Sequence, residues 1–406
     1  MNVQFVNLLI ILGNTLNKTN KAFTEPVNWS TVLSCARFHK VLPIILEEAQ
    51  KHTDCTTLPN YNEYLSQATL STVEQAQKTA CFLELYKSFT DNGIHPIVLK
   101  GIVCRLLYGE LCDHRPSGDE DVLINPEDYE KIHQILSDCG FESNFSNITK
   151  NQAQHFREVL YTSPRSPLRI ELHFNAIGHE NDLLTKMNDW FDIDTLTYRE
   201  ISVDGINIKT LDHTEHFLYL ICHALKHFTF CGLGIRQIID ILLYAKAHGK
   251  DLDKVLITAR LKEIGALDIC SDFFHLGNEY LGFDFSLETL PICLDLLIED
   301  LSESGIYGNE SSARRISSQI LTSAINNKGS RQGKLRILMN TAFVDRRRLI
   351  NNCPELEEKP HLILKENYKR IYKYIRLKKE SKTSLAKSGI ELSKKRMALF
   401  KKYKLL

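Results

Sequence analysis

The sequence predicts an α+β fold in which a small mixed sheet is flanked by N- and C-terminal helical regions. Two observations support this class. Short apolar or alternating segments, separated by Asn, Gly and Pro turn signals, cluster between residues 91 and 210 and are typical of strands. Outside this region apolar residues recur near a 3.6-residue period, which is typical of helices packed on a core. The 406 residues, 43% of them hydrophobic, suffice for several structural units.

These patterns predict four regions along the chain. They are an N-terminal helical region over residues 1–90, a mixed α/β core over 91–210, a helical domain over 211–330 and a basic helical tail over 331–406. The polar, glycine-containing stretch 326–333 is the predicted hinge before the tail.

The N-terminal segment Phe5–Leu12 is apolar, but no Lys or Arg precedes it and no small-residue cleavage site follows it. We therefore expect a buried first helix there and not a secretory signal. No window reaches the roughly 20 apolar residues that a membrane-spanning helix needs. The eleven cysteines form no CxxC pair, which favours reduced thiols and a cytoplasmic location.

Turn signals and periodicity place the elements of the core in order. The predicted elements are a strand at Pro96–Leu99, a helix at Ile102–Tyr108, a half-buried strand at Asp119–Ile124, a helix that begins at Asn125-Pro126 and ends near Gly140, a strand at Leu168–Phe174, and a hairpin that turns at Asp204-Gly205.

Two of these strands carry acids at positions that suit a metal site. Asp119 and Asp121 lie two residues apart, so they project to one face about 7 Å apart and can hold Mg²⁺ jointly. Glu120 should point to the other face. Glu171 is the candidate third acid, because an unpaired carboxylate within an apolar strand is costly. The alternative is an ordinary solvent face on that strand, which would carry Arg169, Glu171 and His173.

The junction between the first strand and the first core helix suits a phosphate. Gly101 permits close approach of a phosphate to the backbone, and the start of a helix offers free N–H groups. Lys100 could neutralise phosphate charge. Arg115, in the loop that contains Gly118 and precedes Asp119, either clamps a phosphate or pairs with the acids.

The segment Ile97–Phe141, with LKG at 99–101 and RPSGDEDVL at 115–123, resembles the polymerase-β-like nucleotidyltransferase superfamily. It is most similar to the branch described as uncharacterised nucleotidyltransferases. Three further matches to that branch are the acid-x-His of Glu171 and His173, the His-x-x-x-His of His223 and His227, and the Arg-plus-Asp helix of Arg236 and Asp240.

The resemblance implies transfer of a nucleoside monophosphate from an NTP, such as ATP, to an acceptor, with in-line attack on the α-phosphate and release of pyrophosphate. Two Mg²⁺ (or Mn²⁺) ions are implied, with Asp119, Asp121 and Glu171 as ligands. The implied nucleotide contacts are Lys100, Gly101, Arg115, Gly118 and His173, and the implied acceptor or phosphate contacts are His223, His227 and Arg236. Most of the superfamily has Gly-Ser or Gly-Gly where this chain has Lys100-Gly101, so the triphosphate is expected to be held differently.

Other interpretations remain open at this point. His216, His223 and His227 share one helix face, so they could bind zinc or belong to the core. Residues 361–406 contain fifteen Lys or Arg against three Glu, a net charge of +12. That tail predicts an anionic partner, such as RNA or a membrane surface, or else a charged helix packed on the acidic body.

The sequence does not name the acceptor, which could be a small molecule, a protein or RNA. Two functional alternatives to the metal-dependent enzyme follow. One is a catalytically inactive nucleotide-binding or partner module, and the other is a toxin-like enzyme that adds nucleotides to RNA.

Overall fold

The computed structural model describes residues 2–143, 158–179, 182–287, 289–305, 359–369 and 384–405, together with residues 314, 317, 318, 320, 321, 356 and 372. The predicted hinge at 326–333 and the tail residues 331–355 lie outside these described residues. The division of the chain into four regions therefore stays a prediction.

The first ninety residues are helical, in agreement with the sequence. The helices are α1 (Val3–Asn17), α2 (Trp29–Phe38), α3 (Leu42–Ala49), α4 (Thr53–Thr56) and α5 (Tyr61–Asp91). Every residue from Phe5 to Gly13 of α1 is buried, because this helix packs against α3 and against the single π-helical turn Gly277–Leu281. The apolar N-terminal segment is thus a buried first helix, as predicted.

Over the described residues, the core is a mixed sheet of seven strands. They are β1 (Ile97–Val98), β2 (Glu120–Leu123), β3 (Glu142–Ser143), β4 (Glu158–Ser163), β5 (Ser166–His173), β6 (Tyr198–Val203) and β7 (Ile206–Leu211), in the spatial order β3-β4-β5-β2-β1-β7-β6. β2 runs parallel to β5 and antiparallel to β1, and β1 runs parallel to β7. The α+β class with a mixed sheet is therefore confirmed.

Helices cover both faces of the sheet. They are α6 (Ile102–Leu106), α7 (Tyr129–Asp138), α8 (Asp182–Asn188), α9 (His213–Phe230), α10 (Ile235–His248), α11 (Lys254–Glu263), α12 (Leu267–Leu276), α13 (Leu294–Ser302) and α14 (Ser384–Lys402). Within the described part of the chain, no helix is both long and apolar enough to cross a membrane.

In the part of the chain that the structure describes, buried apolar side chains form two clusters, one on each face of the sheet. The first joins α1–α3 to α9, α10, α12 and α13 and includes Leu123 of β2. The second lies between the sheet, α5 and α7 and includes Val122. All four residues of β2 are buried, so the prediction of a half-buried strand was wrong. The reason is that helices cover the sheet on both sides at this strand.

The C-terminal helix α14 packs on the body of the protein. The Phe400 ring stacks on Phe228 of α9 with 4.8 Å between the centroids, and the Tyr403 hydroxyl donates to Asp272 Oδ2 at 2.7 Å. Arg396 is 1% exposed and lies 3.2 Å from Asp300 Oδ1. For residues 384–405 these contacts favour a charged helix docked on the body.

Candidate active site

The strand register brings the acids of β2 and β5 together. Asp121 lies directly opposite Glu171, and Leu123 opposite His173, so the polar side chains of both strands share one face. His173 Nε2 lies 2.9 Å from Asp121 Oδ1 and 3.6 Å from Glu171 Oε2. All three residues offer ligand atoms within 4.8 Å of one another. His173 is only 1% exposed, so this end of β5 is not an ordinary solvent face.

Lys100 lies between Asp121 of β2 and Asp119, which comes just before that strand. Its Nζ lies 3.0 Å from Asp121 Oδ2 and 3.5 Å from Asp119 Oδ1. Asp119 itself precedes the strand and does not belong to the compact group of three ligand residues. The ammonium group therefore occupies the space between the paired carboxylates, where a cation is needed to relieve their repulsion.

Burial and charge act against each other in this cluster. Burial alone would raise the pKa of Asp121, but the Lys100 ammonium and a hydrogen bond from His173 hold it well below its usual range. Burial would lower the pKa of His173, yet its hydrogen bonds to Asp121 and Glu171 raise it to about 9. Burial, with the charges of Asp121 and Asp119, raises the pKa of Glu171. A fourth carboxylate, Glu158, lies 3.8 Å from His173 Nδ1, so the acids outnumber the two cationic groups Lys100 and His173 in this cluster.

Glu120 points to the opposite face, as predicted, and there it organises the start of α6. Glu120 Oε2 accepts from Ile102 N at 2.8 Å, and Oε1 pairs with Arg105. A Cβ on Gly101 would collide with this carboxylate, and Gly101 has a φ of +74°. Glycine is therefore required at position 101 because its Cα lies against the Glu120 carboxylate. Because Glu120 occupies the Ile102 N–H, that group is not available to a phosphate.

The loop that contains Gly118 is held by both of its neighbouring helices. Arg115 donates from Nε and Nη2 to the two carboxylate oxygens of Asp240, at 2.7 and 2.6 Å. Arg236 donates to the Pro116 carbonyl, and Ser117 N donates to Gln75 Oε1 of α5 at 2.6 Å. Arg115 is thus an ion-pair partner of an acid on α10, and the pair fixes the loop beside β2.

A cleft lies beside Lys100 and Asp119. Its wall is rich in cationic and imidazole groups. Of the three candidate acids, Asp119 lines it, and Asp121 and Glu171 do not. The lining residues are Lys100, Gly101, Arg115, Ser117, Gly118, Asp119, Leu220, His223, His227, Arg236, Gln237 and Asp240.

The histidines of α9 divide between the cleft and the core. His223 Nε2 lies 3.3 Å from Lys100 Nζ and 3.3 Å from His227 Nε2, and both histidines line the cleft. Burial and the charge of Lys100 lower the pKa of His223 well below its usual value, so its ring is neutral. His216 instead bonds Thr210 Oγ1 at 3.1 Å inside the core. Among the described residues these three do not form a compact metal-ligand group.

Sequence reasoning missed several residues of this site. Tyr219 is fully buried, its ring lies 5.9 Å from that of His223, and its hydroxyl finds no hydrogen-bond partner among the described residues. It lies one helical turn before His223, and that i, i+4 spacing was the available signal. Ser117 and its support from Gln75 were also missed, because a contact across 42 residues leaves no local pattern.

Comparison with known proteins agrees with this geometry. The family model of the uncharacterised nucleotidyltransferases matches residues 25–282, which include the sheet, the cleft and helices α9 and α10. No curated protein and no solved structure matches the chain. Because the family model covers more than half of the chain, the protein belongs to the uncharacterised nucleotidyltransferase family.

Proposed function

We propose that the protein is a metal-dependent nucleotidyltransferase that transfers a nucleoside monophosphate from an NTP to an acceptor and releases pyrophosphate. The observation that supports this most is a juxtaposition of charge. Asp119 lines the cleft together with Lys100, Arg115 and Arg236. Lys100 Nζ also lies 3.0 Å from Asp121, which is grouped with Glu171 and His173 just behind the cleft wall. Acids for a cation and cations for phosphates are the two elements that phosphoryl-group chemistry requires.

Asp119, Asp121 and Glu171 have the chemistry to hold Mg²⁺ or Mn²⁺. All three offer carboxylate oxygens, which these hard cations prefer. Asp121 and Glu171 are cross-strand neighbours, and the raised pKa of Glu171 reflects burial and repulsion that a divalent cation would relieve. A bound ion would screen the charge of the phosphates and lower the pKa of the acceptor hydroxyl.

Lys100 is the residue that would exchange partners. Its side chain is long and unbranched, and Nζ already lies within reach of both aspartates and of the neutral ring of His223. With Asp119 and Asp121 holding a divalent cation, the Lys100 ammonium group would be free to turn toward the cleft and pair with a phosphate oxygen.

The other groups of the cleft have distinct tasks. Arg115 keeps Nη1 without a hydrogen-bond partner in the described structure, and Arg236 keeps Nε. These N–H groups are the donors we assign to the triphosphate, beside the backbone of Gly101 and Gly118. His223 and His227, on the α9 side, would contact the acceptor or a phosphate. His173 would orient Asp121 and Glu171 and not contact the nucleotide directly.

The proposal is tested with α-labelled NTPs, Mg²⁺ or Mn²⁺ and cell extract. We expect one NTP to leave its label on a protein, an RNA or a small molecule, and that label identifies the acceptor. Asp121→Asn should abolish labelling, because it removes a charge and almost no volume. Asp138→Asn, an equally conservative change at an exposed position in α7, is the matched control and should keep full labelling.

The two alternatives correspond to other outcomes. Calorimetric binding of Mg²⁺–NTP without any label transfer would identify an inactive nucleotide-binding module. Label on RNA, with an affinity for RNA that falls steeply with salt, would identify the toxin-like enzyme. Absence of both NTP binding and label transfer would contradict the proposal.

A further inference from the structure

A second group of metal-ligating side chains lies at the other end of α9. His213 is the first residue of α9, His248 is the last residue of α10, and Asp251 follows in the next loop. These residues offer ligand atoms that all lie within 4.8 Å of one another. The two imidazole rings are 4.3 Å apart between centroids and tilted by 39°. His213 precedes His223 by ten residues, so about 15 Å of helix separates this group from the cleft.

The two rings supply the type of ligand atom that transition metals prefer. An imidazole with its ordinary pKa of about 6.5 is mostly neutral at pH 7, and a neutral ring has a nitrogen lone pair for a metal. Arg199 places a positive charge near both rings. Asp251, exposed beside them, supplies the negative charge that offsets Arg199.

Neighbouring groups can orient the first ring. His213 Nδ1 lies 3.3 Å from the Tyr244 hydroxyl, which also accepts a hydrogen bond from Arg199 Nη2 at 3.3 Å. A hydroxyl oxygen has two lone pairs, so it can accept from His213 Nδ1–H as well. In that tautomer Nε2 is the free ligand atom, which is the usual arrangement of a metal-binding histidine and its outer partner.

The loop that carries Asp251 is anchored on both sides of this residue. Asp251 N donates to the His248 carbonyl at 2.8 Å, and Asp253 N donates to Thr214 Oγ1 of α9 at 3.0 Å. Leu252 between them is buried at 7% exposure. These contacts fix the backbone of Asp251 beside both histidines, although its side chain is exposed.

We propose that His213, His248 and Asp251 bind a transition-metal ion of the Zn²⁺ type, and that this ion fastens the start of α9 to the end of α10. Two imidazoles and one carboxylate suit Zn²⁺, Co²⁺ or Ni²⁺, whereas Mg²⁺ prefers oxygen ligands alone. Zinc bonds of about 2.0–2.2 Å place tetrahedral ligands about 3.4 Å apart, so the side chains would close by about 1 Å. A water molecule would complete the coordination. The site does not depend on nucleotidyl transfer.

The test is a titration of the untagged full chain with Zn²⁺ in excess Mg²⁺, with a chromophoric chelator as competitor. The variants are His213→Asn, His248→Asn and Asp251→Asn, and His95→Asn at an exposed position before β1 is the matched control. Zinc that binds at Asp121, Glu171 and His173 is common to the parent, the three variants and the control. Differences in zinc binding among these five proteins therefore report binding at His213, His248 and Asp251. We expect each of the three variants to lose one equivalent of zinc, or at least tenfold in affinity for it, and His95→Asn to bind as the parent does.

Two further readouts make the result decisive. Co²⁺ should give a visible absorption band with nitrogen ligation in the parent that is absent from His213→Asn. Zn²⁺ should raise the melting temperature of the parent more than that of Asp251→Asn, a surface substitution that leaves the fold intact even if a histidine variant fails to fold. Equal zinc binding by Asp251→Asn, His95→Asn and the parent, with equal shifts of melting temperature, would overturn the proposal.

Discussion

Gly101 is the residue at which the interior of the sheet and the cleft meet. Its φ of +74° and ψ of −112° are a combination that L side chains rarely adopt, and a Cβ would also strike Glu120. We expect Gly101→Ala to lower the free energy of unfolding by about 2–4 kcal/mol. Gly140→Ala is the control, because Gly140 has a φ of +80° but open space around its Cα, so about 1–2 kcal/mol is expected. Urea unfolding of both variants measures the difference, and equal losses would show that the Glu120 contact does not matter.

Arg115 and Asp240 form a buried pair whose members depend on each other. Asp240→Asn leaves the Arg115 guanidinium buried without a counter-charge, so we expect a loss of about 3–5 kcal/mol. Arg115→Met should be comparably harmful, and the double variant should lose about 1–3 kcal/mol less than the two single losses combined. The exposed pair Lys87–Asp91 is the control, and Asp91→Asn should change stability by less than about 1 kcal/mol. Strict additivity at the buried pair would contradict this assignment.

The same residues show what a sequence can and cannot predict at this scale. The alternation of a strand predicted that Glu120 would turn away from Asp121, and it does so. The partner of Arg115 was left open between a phosphate and the acids. Its actual partner, Asp240, is 125 positions away, and only the packing of α10 against the loop selects it.

The elements with strong periodicity or clear turn residues were predicted correctly, and the edge of the sheet was not. β1, β2, β5 and the hairpin of β6 and β7 were predicted from apolar runs and from Asp204-Gly205, where both residues have positive φ. β3 and β4 were missed. β3 has only two residues, which is too short for a sequence pattern. β4 was overlooked although Ser163-Pro164, at the tight turn between β4 and β5, is a turn signal.

The C-terminal helix α14 should behave as part of the body. Phe400 is fully buried against Phe228, so Phe400→Ala is expected to lower the free energy of unfolding by about 3–5 kcal/mol. Lys401→Ala, at the next and exposed position, should change it by less than about 0.5 kcal/mol. Chemical denaturation of both proteins is the measurement. If Phe400→Ala had no effect on stability, α14 would be a detachable tail whose charge serves another partner.

At the scale of the whole molecule, the site is built where the two core clusters meet. One face of β2 carries Val122 into the second cluster, while the other carries Asp121 and Leu123 under α9. The acids therefore come from the sheet, and His223 and Arg236 come from helices more than a hundred residues after Asp121 and more than fifty after Glu171. Local pattern predicted both sets of residue types. The closure of helices α9 and α10 over the sheet is a long-range packing result that no local window contains.

The dependence of stability on pH reports how completely this packing excludes water. Burial, with the charge of Arg199 and other neighbours, lowers the pKa of His216 to about 3 from 6.5. Below pH 6.5 the His216 imidazole is therefore protonated in the unfolded chain but stays neutral in the folded chain. The free energy of unfolding should fall as pH falls from 6.5 toward 3, by up to about 1.4 kcal/mol per pH unit from this residue alone.

His216→Asn isolates that contribution, because the amide can still donate to Thr210 but does not titrate. The smaller side chain leaves a cavity that lowers the free energy of unfolding by the same amount at every pH. The comparison therefore uses the change of this free energy with pH and not its absolute value. Between pH 6.5 and 5.0 we expect the parent to lose about 2 kcal/mol more than the variant in urea titrations. His95→Asn, at an exposed position, should keep the parental slope. Parallel curves for His216→Asn and the parent would mean that water reaches this ring, and that α9 lies less tightly on the sheet than the geometry of the cleft requires.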